Sequence, residues 1–204
     1  MQLNLFGFDP PEKQKKSKKS PGLPAIHEYF LLISPEYQVK QSVRILKAKL
    51  NQTIGLSEEN LFSVPHLSLM VLSRKNEQDG FVIENTRKAL EGQSSFSIEL
   101  NKAASFDHPH TNDLILNVEN PEPVKKIFSN LSGIFDPGRV HSGFTPHITI
   151  GRNIPKKDFE KVSSSLNEFN LQTSFNCNAV TILRREWFGK EKTKYRVIKE
   201  VMLN

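Results

Sequence analysis

A five-residue pattern of proline, histidine, an apolar residue, a hydroxyl residue and an apolar residue occurs twice in this chain, at 65–69 and at 146–150. Side chains two positions apart in a β-strand point to the same face, and adjacent side chains point to opposite faces. Each copy therefore predicts a strand whose apolar residues pack into a core while its histidine and hydroxyl share the other face. The chain must fold so that two such strands each have a core on one side only.

The polar face of the first copy carries His66 and Ser68, and that of the second carries His147 and Thr149. Imidazole titrates near neutral pH, so one histidine can accept a proton while the other donates one. The hydroxyls can hydrogen-bond oxygens on which negative charge develops. If the two strands face each other, these four groups suit phosphodiester chemistry without a metal. The alternative is that the histidines cap a sheet end through backbone hydrogen bonds, which leaves the repeated hydroxyl unexplained.

The hydrophobic pattern predicts a mixture of strands and helices. Apolar residues recur at helical spacing in four segments, 37–52, 79–91, 122–134 and 156–167. Strand-like runs are 28–34, 66–72, 95–106, 113–119, 147–152, 174–186 and 194–203, the last two forming a terminal antiparallel hairpin. This order predicts an α+β fold with antiparallel sheets and argues against a doubly wound parallel sheet. The glycine-rich phosphate loops, the His-Glu-x-x-His zinc motif and the Gly-x-Ser-x-Gly elbow are missing.

The formal net charge is +6, from 28 Lys and Arg against 22 Asp and Glu, and part of this excess lies near the N-terminus. Residues 1–25 are rich in lysine and proline and cannot bury enough apolar surface to offset the entropy of ordering. We therefore expect a flexible basic arm over 1–25, followed by a single domain over 26–204. The arm is either a solubilising tail or a segment that attracts a polyanion such as RNA.

A second basic cluster lies near the C-terminus and is interleaved with aromatic residues. Basic residues mixed with aromatics suit attraction of a nucleic-acid backbone combined with base stacking. A charged hairpin at a sheet edge has the same composition, because lysines discourage edge pairing. The cluster consists of Arg184, Arg185, Lys190, Lys192, Lys194, Arg196 and Lys199, with Trp187, Phe188 and Tyr195 among them.

The single cysteine, Cys177, excludes an intramolecular disulfide framework and a zinc site built on several thiolates. The apolar runs are shorter than the 18 or so residues that a membrane span requires. The N-terminus has no apolar region behind a basic start, so it does not predict a secretory signal. We expect a cytoplasmic, monomeric protein without a membrane anchor.

Further residues are candidates for contact with a substrate. Arg152 follows the second motif, and strict alternation places it opposite His147 unless the strand bends at Gly151. Four aromatic side chains are candidates for base stacking, with core packing as the alternative role for each. They are Phe106, Phe144, Trp187 and Tyr195.

His108 and His110 lie in a turn between two predicted strands. With His141 they raise the alternative of a metal-dependent hydrolase, which requires closure of a site across the fold. A solvated turn explains them more simply, and a fringe of groups that attract phosphate is a further alternative. We therefore expect no metal site and no cofactor.

The motifs stand as His66-Leu67-Ser68-Leu69 and His147-Ile148-Thr149-Ile150, the second within 144–152. In these residues and in the order of elements over about 26–204, the chain resembles the two-histidine (2H) phosphoesterase superfamily, the group of 2′-5′ RNA ligases and cyclic phosphodiesterases. The resemblance implies a bilobal fold with two pseudo-symmetric lobes, helices outside and a central cleft. It assigns catalysis to both histidines and phosphate binding to Ser68 and Thr149. Similar proteins often carry an aromatic residue on the last strand, which favours Tyr195 for stacking.

The resemblance implies a metal-independent phosphoesterase that acts on cyclic phosphates of nucleotides or RNA ends. The reaction is either hydrolysis of a 2′,3′-cyclic phosphodiester or chemistry of a 2′-5′ linkage, by general acid–base catalysis with two histidines. The alternative is a module of the same fold that binds a nucleotide or an RNA end without turnover. The near symmetry of the motifs leaves open which histidine is the base.

Overall fold

The computed structural model describes residues 26–136, 143–188 and 191–204. The basic arm predicted over 1–25, His141 and Lys190 lie outside the described residues. The helices are α1 (Tyr37–Ile54), α2 (Glu58–Leu61), α3 (Asp79–Ala89), α4 (Glu122–Phe135), α5 (Lys156–Ser163) and a 3₁₀ helix (Leu166–Phe169). The strands are β1 (Ile26–Ile33), β2 (Leu67–Arg74), β3 (Phe96–Asp107), β4 (Thr111–Val118), β5 (His147–Pro155), β6 (Thr173–Cys177), β7 (Ala179–Phe188), β8 (Glu191–Lys192) and β9 (Arg196–Met202).

Within the described residues, the nine strands form one sheet in the order β6-β3-β4-β5-β2-β1-β7-β8, with β9 also paired to β7. Every strand pair is antiparallel. Helices α1 and α5 pack against β4, β5 and β6, and helices α3 and α4 against β9 and β2. The α+β class and the antiparallel pairing predicted from the sequence are confirmed.

The sheet consists of two strand groups that meet at its centre. The continuous group comprises β3 to β6 (residues 96–177), and the split group comprises β1 and β2 with β7, β8 and β9. Within the described residues, β2 and β5 join the groups through one register position, Leu67 opposite Ile148. Hydrogen bonding joins the two groups into one sheet. The two pseudo-symmetric lobes and the central cleft that the resemblance implies therefore remain a prediction.

The apolar residues of both motifs lie in the core. Leu67, Ile148 and Ile150 are fully buried and Leu69 is 5% exposed. Removing such a side chain from water stabilises the folded chain by about 1.5–3 kcal/mol. On the facing helix α1, Val39, Val43 and Leu50 supply the helically spaced apolar residues. The core face of each motif strand is therefore as the alternation predicts.

Beyond shifts of a few residues at element ends, the structure differs from the sequence prediction in three places. The helix predicted over 156–167 ends at Ser163, where the serine hydroxyls of 163 and 165 hydrogen-bond carbonyls within the last turn and compete with helix continuation. Helix α2 was not predicted, since its four residues are too few for a hydrophobic period, although Ser57 caps it by accepting from the Asn60 N–H. The run 174–186 is divided between β6 and β7, and β7 pairs with β9 as the predicted hairpin requires.

No described helix is long and apolar enough to span a membrane.

Candidate active site

The two motifs meet at the centre of the sheet. Leu67 and Ile148 are partners across antiparallel strands, so the residues flanking this pair lie next to one another. We call the side of the sheet that carries His66, Ser68, His147 and Thr149 the motif face. Both imidazoles and Thr149 are half-buried on it, and Ser68 is exposed. The structure thus brings together the four residues predicted for catalysis and phosphate binding.

Both histidines make the same backbone hydrogen bond. Nδ1 of His66 lies 2.7 Å from the carbonyl oxygen of Val64, and Nδ1 of His147 lies 2.7 Å from that of Thr145. A carbonyl only accepts, so in each ring Nδ1 carries a hydrogen and donates it. Nε2 is then the nitrogen of each neutral ring that can accept a proton. Each ring is therefore oriented with Nε2 available for proton transfer.

A phenylalanine edge contacts each imidazole. Phe30 on β1 lies 5.1 Å from the His66 ring at an interplanar angle of 85°, and Phe106 on β3 lies 4.9 Å from the His147 ring at 84°. Edge-to-face geometry of this kind holds ring orientation as well as burying area. Phe106, a sequence candidate for base stacking, thus supports the His147 imidazole. Phe30 was missed, because a phenylalanine within an apolar strand gives no sign of which face it occupies.

The surroundings of His66 disfavour its charged form. Burial is the main cause of a lowered pKa, and the positive charges of Lys47, Arg152 and His147 lower it further, while the hydrogen bond to Val64 opposes them. The His66 imidazole is therefore neutral at neutral pH and able to accept a proton at Nε2.

The strand alternation breaks directly after the second motif. Gly151 is buried, and a Cβ placed on it would lie 2.6 Å from Cδ2 of Leu50, so no larger residue fits without movement. The β4–β5 register shifts here, and Asn153 has a φ of 52°. Strict alternation would place Arg152 opposite His147 unless the strand bends at Gly151, and the strand is irregular at that position. The Arg152 guanidinium forms an ion pair with Glu59 at 2.7 Å, so it contributes to the site as a neighbouring charge held by a carboxylate.

Tyr195 lies on the motif face within a half-buried cluster. Its hydroxyl donates to the Glu28 carboxylate, and its ring lies 5.7 Å from that of Phe30. The Arg185 guanidinium sits 4.4 Å above the Tyr195 ring and pairs with the same carboxylate at 2.5 Å. Burial and the hydrogen bond to Glu28 raise the pKa of Tyr195, so the phenol stays protonated. Glu28, which anchors this cluster beside Phe30, carries no motif that sequence analysis could detect.

The C-terminal basic cluster does not form one surface. Arg184 is 2% exposed and pairs with Glu77 at 2.7 Å and with Asp79 at 2.8 Å, so this member of the cluster is a buried structural cation. Its side chain alternates with that of Arg185 along β7, which puts the two on opposite faces. Lys192 lies 3.8 Å from the Trp187 ring and covers that aromatic surface.

Phe144 borders a cavity next to the second motif. Its ring stacks on that of Phe128 at 3.9 Å and 13°. The cavity is about 930 Å³ and is lined by α4, the end of β4 and the segment Phe144–Pro146, which leads into His147. This is enough space for a nucleotide. Phe144 is thus near the candidate catalytic centre, on its β4 side.

The turn histidines lie apart from any ligand cluster. His108 Nε2 is 3.5 Å from the Asp113 carboxylate. Across 26–136, 143–188 and 191–204, no group of three or more His, Cys, Asp and Glu side chains could hold a metal ion.

Comparison with known proteins connects this geometry to a family. The family model described as the 2′-5′ RNA ligase superfamily matches residues 39–187, a span that contains both motifs. A protein of Oceanobacillus iheyensis named "Putative phosphoesterase OB1230" is 26% identical over 149 residues, which are 71% of this chain and 83% of that protein. A protein of Staphylococcus saprophyticus named "Putative phosphoesterase SSP1770" is 22% identical over 141 residues, which are 69% of this chain and 81% of that protein.

Solved structures share the fold. E. coli LigT, in a complex with 3′-AMP, superposes with a TM-score of 0.62 at 16% identity, over 87% of this chain and 98% of LigT. The protein TT0787 of Thermus thermophilus gives a TM-score of 0.60 at 15% identity, over 86% of this chain and 97% of that protein. With both motifs inside the matched span and the LigT-like sheet around them, the chain belongs to the 2′-5′ RNA ligase superfamily of 2H phosphoesterases.

Proposed function

We propose that the protein hydrolyses 2′,3′-cyclic phosphates at the ends of nucleotides or RNA, with His66 as general base and His147 as general acid. The observation that carries this proposal is the Leu67–Ile148 register, which joins two His-x-hydroxyl motifs on adjacent antiparallel strands. Two imidazoles and two hydroxyls beside one another match the needs of a phosphoryl displacement.

Each group has one role in the reaction. Neutral His66 takes a proton through Nε2 from the attacking water as the water oxygen bonds to phosphorus. The bond from phosphorus to one ribose oxygen breaks, and protonated His147 donates its Nε2 proton to that oxygen. The Ser68 and Thr149 hydroxyls donate hydrogen bonds to the non-bridging oxygens as their charge grows. A nucleoside monophosphate leaves, and proton exchange with solvent restores both histidines.

The comparisons support a nucleotide as the ligand class. Solved LigT structures include complexes with 3′-AMP, with ATP and with NADP+. In this chain, the cavity lined by Phe144, Thr145 and Pro146, the residues that precede His147, offers room for a base or a second nucleotide. We place the substrate across the motif face, with its phosphate between the two histidines and its nucleoside toward Phe144 or toward the Tyr195 cluster.

Turnover of the four 2′,3′-cyclic nucleotides in excess chelator tests the proposal. Wild type, His66→Ala and His147→Ala are compared at equal folded concentration, and the products are identified as 2′- or 3′-monophosphates. We expect wild-type turnover and at least about a 1000-fold loss in each variant, since neither proton transfer has a substitute. Saturable nucleotide binding without product, on mononucleotides and on RNA with a cyclic phosphate end, would instead establish the binding module.

A further inference from the structure

A lysine is buried beside the first motif. Lys47 on α1 is 1% exposed, and its Nζ donates to the Asn60 carbonyl at 3.1 Å and to the Ser63 hydroxyl at 2.9 Å. Among the described residues, no carboxylate forms an ion pair with it. Burying a charge without an opposite charge is costly, and natural cores rarely contain one. Burial accordingly lowers the pKa of Lys47 to about 8, so the ammonium is largely charged at neutral pH.

The hydrogen bonds of Lys47 hold the turn that leads into His66. Ser63 also donates to the Asn60 carbonyl at 2.8 Å, so lysine, serine and carbonyl form a closed set of contacts. The next residue, Val64, supplies the carbonyl that accepts the His66 Nδ1 hydrogen at 2.7 Å. The position of that carbonyl, and hence the orientation of the imidazole, depends on the turn that Lys47 holds.

The same turn is attached to the strand of the second motif. The Asn60 side-chain amide donates to the Arg152 carbonyl at 2.8 Å, and its oxygen accepts from the Arg152 N–H at 3.3 Å. Asn60 is 6% exposed, so these contacts are shielded from water. Lys47 therefore supports a turn that connects the start of β2 with β5.

Lys47 also differs from the other cations that act on His66. The charged groups that lower the pKa of His66 are Lys47, Arg152 and His147. Arg152 is paired with Glu59 at 2.7 Å, which offsets part of its field. Among the described residues Lys47 has no such carboxylate, and it is enclosed where solvent screens it least.

We propose that Lys47 is a positioning residue for His66, which holds the 60–64 turn behind the imidazole and places a buried positive charge near it. The catalytic part of this inference rests on the proposed function. Its structural part, the effect on the titration of His66, does not.

Three substitutions separate the two effects. Lys47→Met removes both the hydrogen bonds and the charge. Ser63→Ala removes part of the hydrogen-bonded turn and leaves the charge in place. Lys40→Met is the matched control, because Lys40 is also on α1, is 4% exposed and donates to Ser34 at 2.7 Å, yet it is not among the groups that act on His66.

The readouts are the pH dependence of kcat/KM and the NMR titration of the His66 ring. In Lys47→Met we expect kcat to fall about 10- to 100-fold with KM changed less than about threefold, as for a misplaced catalytic group. We also expect the acid limb and the His66 titration to move to higher pH, because a cation that disfavoured protonation is gone. Ser63→Ala should lower kcat and leave the His66 titration in place, and Lys40→Met should match wild type in both readouts.

Circular dichroism and thermal melts establish that each variant is folded. In Lys47→Met, the Ser63 hydroxyl keeps its Asn60 partner, and replacing a buried charge by an apolar side chain of similar volume is often neutral for stability. An unchanged His66 titration in folded Lys47→Met, or an equal shift in Lys40→Met, overturns the inference. If wild type turns over no substrate, the proposed function fails, while the NMR titration still decides the role of Lys47.

Discussion

The two motif histidines share a hydrogen-bond pattern, and the surroundings of His66 favour its neutral form. Each Nδ1 donates to the carbonyl two residues earlier in the chain. His66 has its pKa lowered first by burial and then by Lys47, Arg152 and His147. The near-symmetric sequence motifs could not distinguish base from acid, because Lys47 and Arg152 lie outside them, on α1 and on β5. The assignment of His66 as the base comes from these surroundings, which favour its neutral form.

The lowered pKa of His66 predicts the acid limb of the pH profile. A base with a lowered pKa stays neutral to lower pH than free imidazole, so the acid limb of kcat/KM should fall below about pH 6.5. Rates of cyclic nucleotide hydrolysis from pH 4.5 to 9 measure it. Circular dichroism at each pH controls for loss of folded enzyme. An acid limb above pH 6.5 would contradict the assignment of His66.

The hydroxyls of Ser68 and Thr149 should matter mainly in the transition state. Removing one hydrogen bond to a developing oxyanion typically lowers kcat by about 100- to 1000-fold. We expect losses of that order in Ser68→Ala and in Thr149→Ala, with small changes in KM. Ser73→Ala is the control, since Ser73 is an exposed serine on the same strand β2. Equal activity of Ser68→Ala and Ser73→Ala would remove Ser68 from the mechanism.

At the scale of elements, the sequence predicted what periodicity encodes. The sequence predicted the alternation of the motifs, the apolar spacing of α1 and α4, and the β7–β9 hairpin. Each of these follows from local geometry that is repeated over many residues. Helix α2 was not, since Ser57 provides a cap but the four residues that follow provide no period. The Tyr195–Glu28–Arg185 cluster was also unpredictable, because its members come from β1, β7 and the segment before β9 and meet only in the finished sheet.

Strand β5 depends on the glycine that follows the second motif. A Cβ at Gly151 would lie 2.6 Å from Leu50 and 3.1 Å from Ile154. We expect Gly151→Ala to lower the free energy of unfolding by about 1–3 kcal/mol, as overpacking does. Gly133→Ala in α4 is the control, because nothing lies within 4 Å of its Cβ position and alanine favours a helix. Urea titrations compare the two, and equal stability of Gly151→Ala and wild type would contradict the packing argument.

At the scale of the whole molecule, the two strand groups differ in how the chain supplies them. The continuous group uses residues 96–177 in one stretch, whereas in the split group β1 pairs with β7 across most of the sequence. Long-range pairings form slowly because the intervening loop must close first. We therefore expect pulsed hydrogen exchange during refolding to protect β3 and β4 amides before those of β1 and β7. Simultaneous protection of both groups would indicate a single cooperative step.

The division of the sheet into two strand groups also determines at what stage of synthesis the candidate active site can assemble. His147 lies in the continuous group, which a growing polypeptide completes first. His66 directly precedes β2, and β2 pairs with β1. The other neighbour of β1 is β7, which is made much later. A ribosome-bound chain that has exposed residues up to 177 can pair β3 to β6 but offers β1 no partner on its outer side. Such a chain contains both motif histidines, but the strand next to β2 lacks the β7 partner that completes its hydrogen bonding. Under the proposed function, we expect full activity only once the C-terminal strands have been made.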